Sequence, residues 1–129
     1  MPLELTLVGA STILLLVYVM VQGQTATRER GMDWNAGPRD GDAKPLGPVA
    51  GRAARALANF QETYPAFLAL ALGLAVAGKT GGLGAVGAAT WFGARIVYLP
   101  LYLAGIPYIR SLVWAVSILG LALMLFRLL

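Results

Sequence analysis

Arg52-Ala-Ala-Arg55-Ala-Leu-Ala-Asn59-Phe-Gln-Glu62-Thr-Tyr-Pro65 is the stretch on which the reading of this chain turns. Two arginines, an amide and an acid stand at the head of a segment that then runs apolar to Ala77. Their spacings of 3, 4 and 3 place all four on one face of a helix. Ionisable groups entering an apolar helix are expensive to hold there and usually mark function.

Composition sets the environment. The chain has 129 residues, 58% hydrophobic and 12% charged, with a mean hydropathy of +0.71. An ordinary soluble domain carries roughly 25% charged residues. The composition is that of an integral membrane protein, and the length fits one compact domain. Net charge is +4, yet the basic residues are not pooled. Arg28, Arg30, Arg39, Lys44, Arg52 and Arg55 alternate with Glu29, Asp33, Asp40 and Asp42. That pattern argues against a nucleic-acid surface and for a charged loop beside a membrane. There is no cysteine and no histidine. Disulfides, protein thiolates, Cys/His metal sites and histidine general bases are therefore excluded. Any thiol chemistry must come from a ligand, and no metal is expected.

A membrane-crossing helix needs about 20 mostly apolar residues. Residues 3–22, 49–77, 83–103 and 108–129 supply four such segments, with a polar loop over 23–48. The first lacks a basic leader and exceeds the ~7–15 apolar residues of a signal-peptide core, so it reads as a retained span. Tight turns at Lys79–Gly82 and Gly105–Pro107 force antiparallel neighbours. The fold class expected is an all-α integral membrane protein, an antiparallel four-helix transmembrane bundle. The basic excess of the 23–48 loop predicts that it is cytoplasmic, with both termini on the opposite side. The polar start of helix 2, the end of helix 3 and the start of helix 4 then meet at one membrane face.

Helix 3 has its own polar stripe: Arg95, Tyr98 and Tyr102 share a face. Arg95 lies on the order of 10 Å deeper than Tyr102 at ~1.5 Å rise per residue. Arg110 opens helix 4, followed by Ser111 and Trp114. Glu62 sits at a depth suited to neutralising Arg95 or Arg55, or to binding a ligand amine. Plainer roles compete. Arg52 can anchor at headgroup level, Trp114 and the tyrosines can form an aromatic belt, and Glu4 can be interfacial. Gly81, Ala85 and Ala89, or Gly84 and Ala88, are small residues suited to close helix packing. Taken together, Arg55, Asn59, Glu62, Arg95 and Arg110 leave surplus positive charge, and buried positive charge requires an anion.

Arg55-x3-Asn59-x2-Glu62-x2-Pro65, preceded by Arg52, resembles the second-helix signature of the MAPEG superfamily. These are membrane-associated proteins of eicosanoid and glutathione metabolism. Ala94-Arg95-Ile-Val-Tyr98-x3-Tyr102-x2-Gly105, followed by Ile109-Arg110-Ser111, is similar to that family's third- and fourth-helix signature. The resemblance covers nearly the whole chain. It implies a homotrimer of four-helix bundles with glutathione bound between neighbouring subunits. It further implies glutathione contacts from Arg55, Asn59, Glu62, Arg95, Tyr98 and Tyr102, with Arg52 as an additional carboxylate contact. Arg110, with Ser111, would stand near the sulfur and carry catalysis. The implied activity is a glutathione transferase or peroxidase acting on apolar electrophiles or hydroperoxides from the bilayer. Two readings from other classes stand beside it: a non-catalytic membrane module binding glutathione or a lipid anion, and a small four-span multidrug transporter. The chain departs from the family at the end of helix 1. There Gly23-Gln24 is followed by Thr25-Ala26-Thr27, and the first arginine is Arg28.

Overall fold

The computed structural model describes residues 1–129 as an all-helical chain. Four long helices and one short one follow in order: α1 (Leu3–Arg30), α2 (Met32–Ala36), α3 (Pro48–Val76), α4 (Leu83–Leu103) and α5 (Pro107–Leu128). Proline opens α3 and α5, where its missing N–H would have no intrahelical partner anyway. The α3–α4 turn needs left-handed backbone at Gly78, Gly81 and Gly82, and the α4–α5 turn needs it at Gly105 (φ 73°). The last three long helices begin and end close to the apolar segments read from sequence.

The first helix does not. It runs on past Gln22 to Arg30, and the short α2 follows after Gly31. The 23–48 stretch is thus part helix and only later loop. Thr25 and Thr27 bond back to carbonyls one turn earlier, which lets a polar stretch continue the helix without leaving hydroxyls unpartnered.

α3 and α4 form the middle of the assembly. α1 packs on both, α5 packs on both, and α1 and α5 do not pack on each other. The two flanking helices each contain a stretch long and apolar enough to cross a membrane; the central pair carries the polar stripes. The core is aromatic: Phe60, Tyr64 and Phe67 of α3 surround Trp91 of α4. The Phe67 and Trp91 rings stack with centroids 4.0 Å apart. Tyr18 joins through Phe60 at 4.6 Å, and the Ser11 hydroxyl hydrogen-bonds the Tyr64 hydroxyl at 2.8 Å.

Small residues set the closest approach, though not along the Gly81-Ala85-Ala89 line, since Ala89 is exposed. The crossing is at Gly87 and Gly120. A Cβ on Gly87 would stand 2.5 Å from the Gly120 carbonyl oxygen, and one on Gly120 2.6 Å from that of Gly87. The α4 and α5 backbones therefore touch, and Gly84 and Ala88 are buried beside them. Glu4 departs from its expected interfacial place. It is 0% exposed, and its Oε2 accepts the Gly81 N–H at 2.8 Å. An N-terminal carboxylate thereby ties down the α3–α4 turn.

Candidate functional site

Three arginines from two helices converge at the opposite end. Pro48 starts α3 early enough that Arg52 and Arg55 fall in its first turns, beside the α4–α5 turn. Together with Tyr102, Gly105, Pro107 and Arg110 they line a cavity of about 310 Å³. No acidic side chain lines it. Arg52 Nη1 donates to the Leu103 carbonyl at 3.3 Å, a long bond at the exposed end of α4. Gly105 serves twice here. Its positive φ makes the turn, and a Cβ would stand 2.8 Å from the Arg52 guanidinium carbon.

From this cup a ladder of cations and rings leads inward along α4. The Arg110 guanidinium lies 4.5 Å from the Tyr102 ring centroid. Tyr102 meets Tyr98 edge-on at 5.5 Å, and the Arg95 guanidinium lies 4.4 Å from the Tyr98 ring. Cations over aromatic faces gain about 2 kcal/mol or more when desolvated, so the rings hold the guanidiniums without neutralising them.

Arg95 is the deepest member. It is 0% exposed, and its Nη1 donates to Asn59 Oδ1 at 2.8 Å. Its Nε and Nη2 are buried without a partner. Such orphaned donors on a charged group are rare in a finished core and mark a place where further bonding is wanted. The Arg95 backbone is held separately, its carbonyl accepting the Tyr18 hydroxyl at 2.6 Å. A second cavity of about 190 Å³ opens between these residues and α5, lined by Asn59, Tyr98, Arg110, Ser111 and Trp114. Arg110 is common to both cavities.

The expected residues are therefore gathered with one exception. Arg52, Arg55, Tyr102 and Arg110 share the cup; Asn59, Tyr98, Arg110 and Ser111 share the second cavity; Arg95 lies behind it. Ser111 is exposed and donates to the Pro107 carbonyl at 3.2 Å. Glu62 is exposed and lines neither cavity. It is not the partner of Arg95, whose side-chain bond goes to the neutral Asn59, one helical turn away on α3. A carboxylate can stay hydrated at the surface, whereas an amide can accept a guanidinium bond in the interior at lower desolvation cost. Trp114, read as a belt residue, lines the second cavity. Tyr18 was not singled out. Its signal was present in the sequence, since it is the sole aromatic residue in residues 3–30.

The model of the MAPEG family matches residues 7–129, and the chain belongs to that family. No curated protein and no solved structure matches it.

Proposed function

We propose that this MAPEG-family chain is a glutathione-dependent membrane transferase or peroxidase. Its family is membrane-integral, generally binds glutathione and forms trimers. In this reading α1, α3, α4 and α5 each cross the bilayer as a four-helix bundle, three chains assemble, and glutathione lies at the seam between neighbours. The arginine cup faces the cytoplasm, and both termini face the other side.

The observation that carries the reading is the cup itself: Arg52, Arg55 and Arg110 around one cavity with no acid in its lining. At about 310 Å³ it is at the small end of ligand sites, which run roughly 300–1,000 Å³. Glutathione brings two carboxylates, an ammonium and a thiol. Arg52 and Arg55 pair with the carboxylates through their planar forks. Glu62, exposed on the same helix, takes the ammonium. Asn59 offers both donor and acceptor. Arg95 gives its unpartnered nitrogens, and Tyr98 and Tyr102 complete the wall.

The thiol reacts as thiolate, and a free thiol has a pKa of about 8.5. Arg110 stands between the two cavities, so it is the cation assigned to the sulfur, with the Ser111 hydroxyl beside it. The second cavity receives the electrophile, which reaches it from the bilayer. Thiolate sulfur forms a bond to the electrophilic carbon, and a leaving group departs with its electron pair. With a hydroperoxide the sulfur attacks the distal oxygen and the O–O bond breaks, leaving an alkoxide to be protonated.

Titration of detergent-purified protein with glutathione, followed by stopped-flow ultraviolet detection of thiolate, tests this. Saturable binding with a thiolate signal at neutral pH is expected. Absence of binding overturns the reading. Binding and thiolate without conjugation of a generic electrophile leave only a binding module.

A further inference from the structure

The buried side chains of α1 are Glu4, Ser11, Tyr18 and Ala26. The three polar ones are spaced seven residues apart, two helical turns, and so share a face. Each reaches α3, α4 or the turn between them. Glu4 accepts from the Gly81 N–H, the Ser11 hydroxyl meets the Tyr64 hydroxyl, and the Tyr18 hydroxyl donates to the Arg95 carbonyl. Gly81 lies at the end away from the cup, and Tyr64 belongs to the aromatic core. Only the Tyr18 bond lands on a residue of the candidate site, the one whose guanidinium keeps two nitrogens without partners.

We propose that Tyr18 is a positioning residue for this site: it fixes the root of the Arg95 side chain and thereby aims its unpartnered nitrogens. The role in binding rests on the reading that Arg95 meets glutathione. The sequence of α4 shows why a brace is needed there. Pro100 lies inside the helix and has no N–H, so the Ile96 carbonyl lacks its helical donor. The helical ladder is thus broken one residue beyond Arg95. The Tyr18 hydroxyl grips the adjacent carbonyl at 2.6 Å, so a neighbouring helix supports α4 where its own bonding is weakened.

The ring of Tyr18 works in the same direction. It is buried and packs on Phe60 with centroids 4.6 Å apart. The Arg95 guanidinium in turn lies 5.3 Å from the Phe60 centroid. That guanidinium has one hydrogen-bonded partner, Asn59 Oδ1, and a single bond leaves it free to pivot. The Phe60 and Tyr98 rings limit the pivot. Tyr18 therefore restrains Arg95 at both ends, the backbone through its hydroxyl and the guanidinium through Phe60. A long side chain orients a ligand only as well as its supports are fixed.

The test compares Tyr18→Phe with Ser11→Ala in the full chain purified in detergent. Each removes one hydroxyl from the same face of α1, but only the first touches Arg95. Two quantities are read: the Arg95 Nε–H resonance, assigned through its own backbone, and the dissociation constant of glutathione. In Tyr18→Phe the Arg95 resonance should shift or broaden, and the dissociation constant should rise about fivefold, the effect of one lost buried hydrogen bond. In Ser11→Ala both should match the parent. An unchanged Arg95 resonance in Tyr18→Phe overturns the proposal. Equal changes in the two variants also overturn it, since the bonds would then only hold α1 in place. A shifted resonance with unchanged affinity removes Tyr18 from the binding site. If the parent itself fails to bind glutathione, the functional reading falls, and the resonance alone decides whether Tyr18 holds Arg95.

Discussion

The two ends of this helical assembly use the same residue types to opposite effect. At one end Glu4 accepts the Gly81 N–H, Lys79 Nζ donates to the Leu128 carbonyl, and Arg127 Nε donates to the Lys79 carbonyl. Every charge there closes a helix end or a turn, and no cavity forms among them. At the other end Arg52 makes one long bond, Arg110 rests on a ring, and Arg95 keeps two buried nitrogens without partners. Those side chains surround space. Charge alone therefore does not mark the site. Charge left over after the fold's own terminal groups are satisfied does.

The sharpest way to break that contrast is Arg110→Ala. If leftover charge is what turns thiol into nucleophile, conjugation of a generic electrophile should fall by about 10²–10³-fold, the range for removing one stabiliser of developing negative charge. Glutathione affinity should change far less, because Arg52, Arg55 and Arg95 remain. Equal turnover in the variant removes Arg110 from catalysis.

The contrast also needs the α4–α5 contact, which fixes the α4–α5 turn and with it the cup. Gly87→Val drives a branched side chain into the Gly120 carbonyl, 2.5 Å from the first added carbon. Overpacking of that kind costs about 1–3 kcal/mol. Thermal unfolding in detergent should report the loss, and glutathione affinity should fall with it. A variant as stable as the parent would mean that α5 can slide, and that the cup does not depend on this crossing.

Asn59→Ala probes the interior of the open end. It removes the one hydrogen-bonded partner of the Arg95 guanidinium and leaves the charge buried. Unsatisfied buried groups cost about 1–3 kcal/mol, more when charged. The loss should be measured without glutathione and should shrink at saturating glutathione, because the ligand supplies acceptors. A loss unaffected by ligand would make Asn59 purely structural.

How much of this was legible beforehand differs between the two ends. At the open end the i, i+3, i+7 spacing of Arg52, Arg55 and Asn59 gave the helix face, and the pairing of cup residues followed from short turns. Of the partners open to Glu62, Arg95 is not bonded to it, because helical phase fixes a face and not a partner; the amide one turn earlier took Arg95. At the closed end almost nothing could be read. Glu4 looked interfacial from its position near the terminus, and only the fold brings the Gly81 N–H to it, 77 residues away in sequence. The extension of α1 to Arg30 was hidden by polar composition, since hydropathy reports burial in lipid and a helix can outlast it. Tyr18 was visible as a lone aromatic, but its target, a backbone carbonyl on α4, carries no side-chain signature.

The smallest effect expected comes from the closed end and is the control for all the others. Glu4→Gln keeps a carbonyl oxygen for the Gly81 N–H and removes a buried charge whose other oxygen has no partner. Losing the charge-assisted bond and losing the desolvation cost offset each other, so stability should stay within about 1 kcal/mol of the parent. Glu4→Leu removes the acceptor altogether and strands that N–H, which costs about 1–3 kcal/mol. Neither substitution should alter glutathione affinity or turnover, because the carboxylate ties a turn and faces no cavity. If Glu4→Gln instead weakened glutathione binding, the closed end would be coupled to the open one, and the division between satisfied and leftover charge would not separate structure from function in this chain.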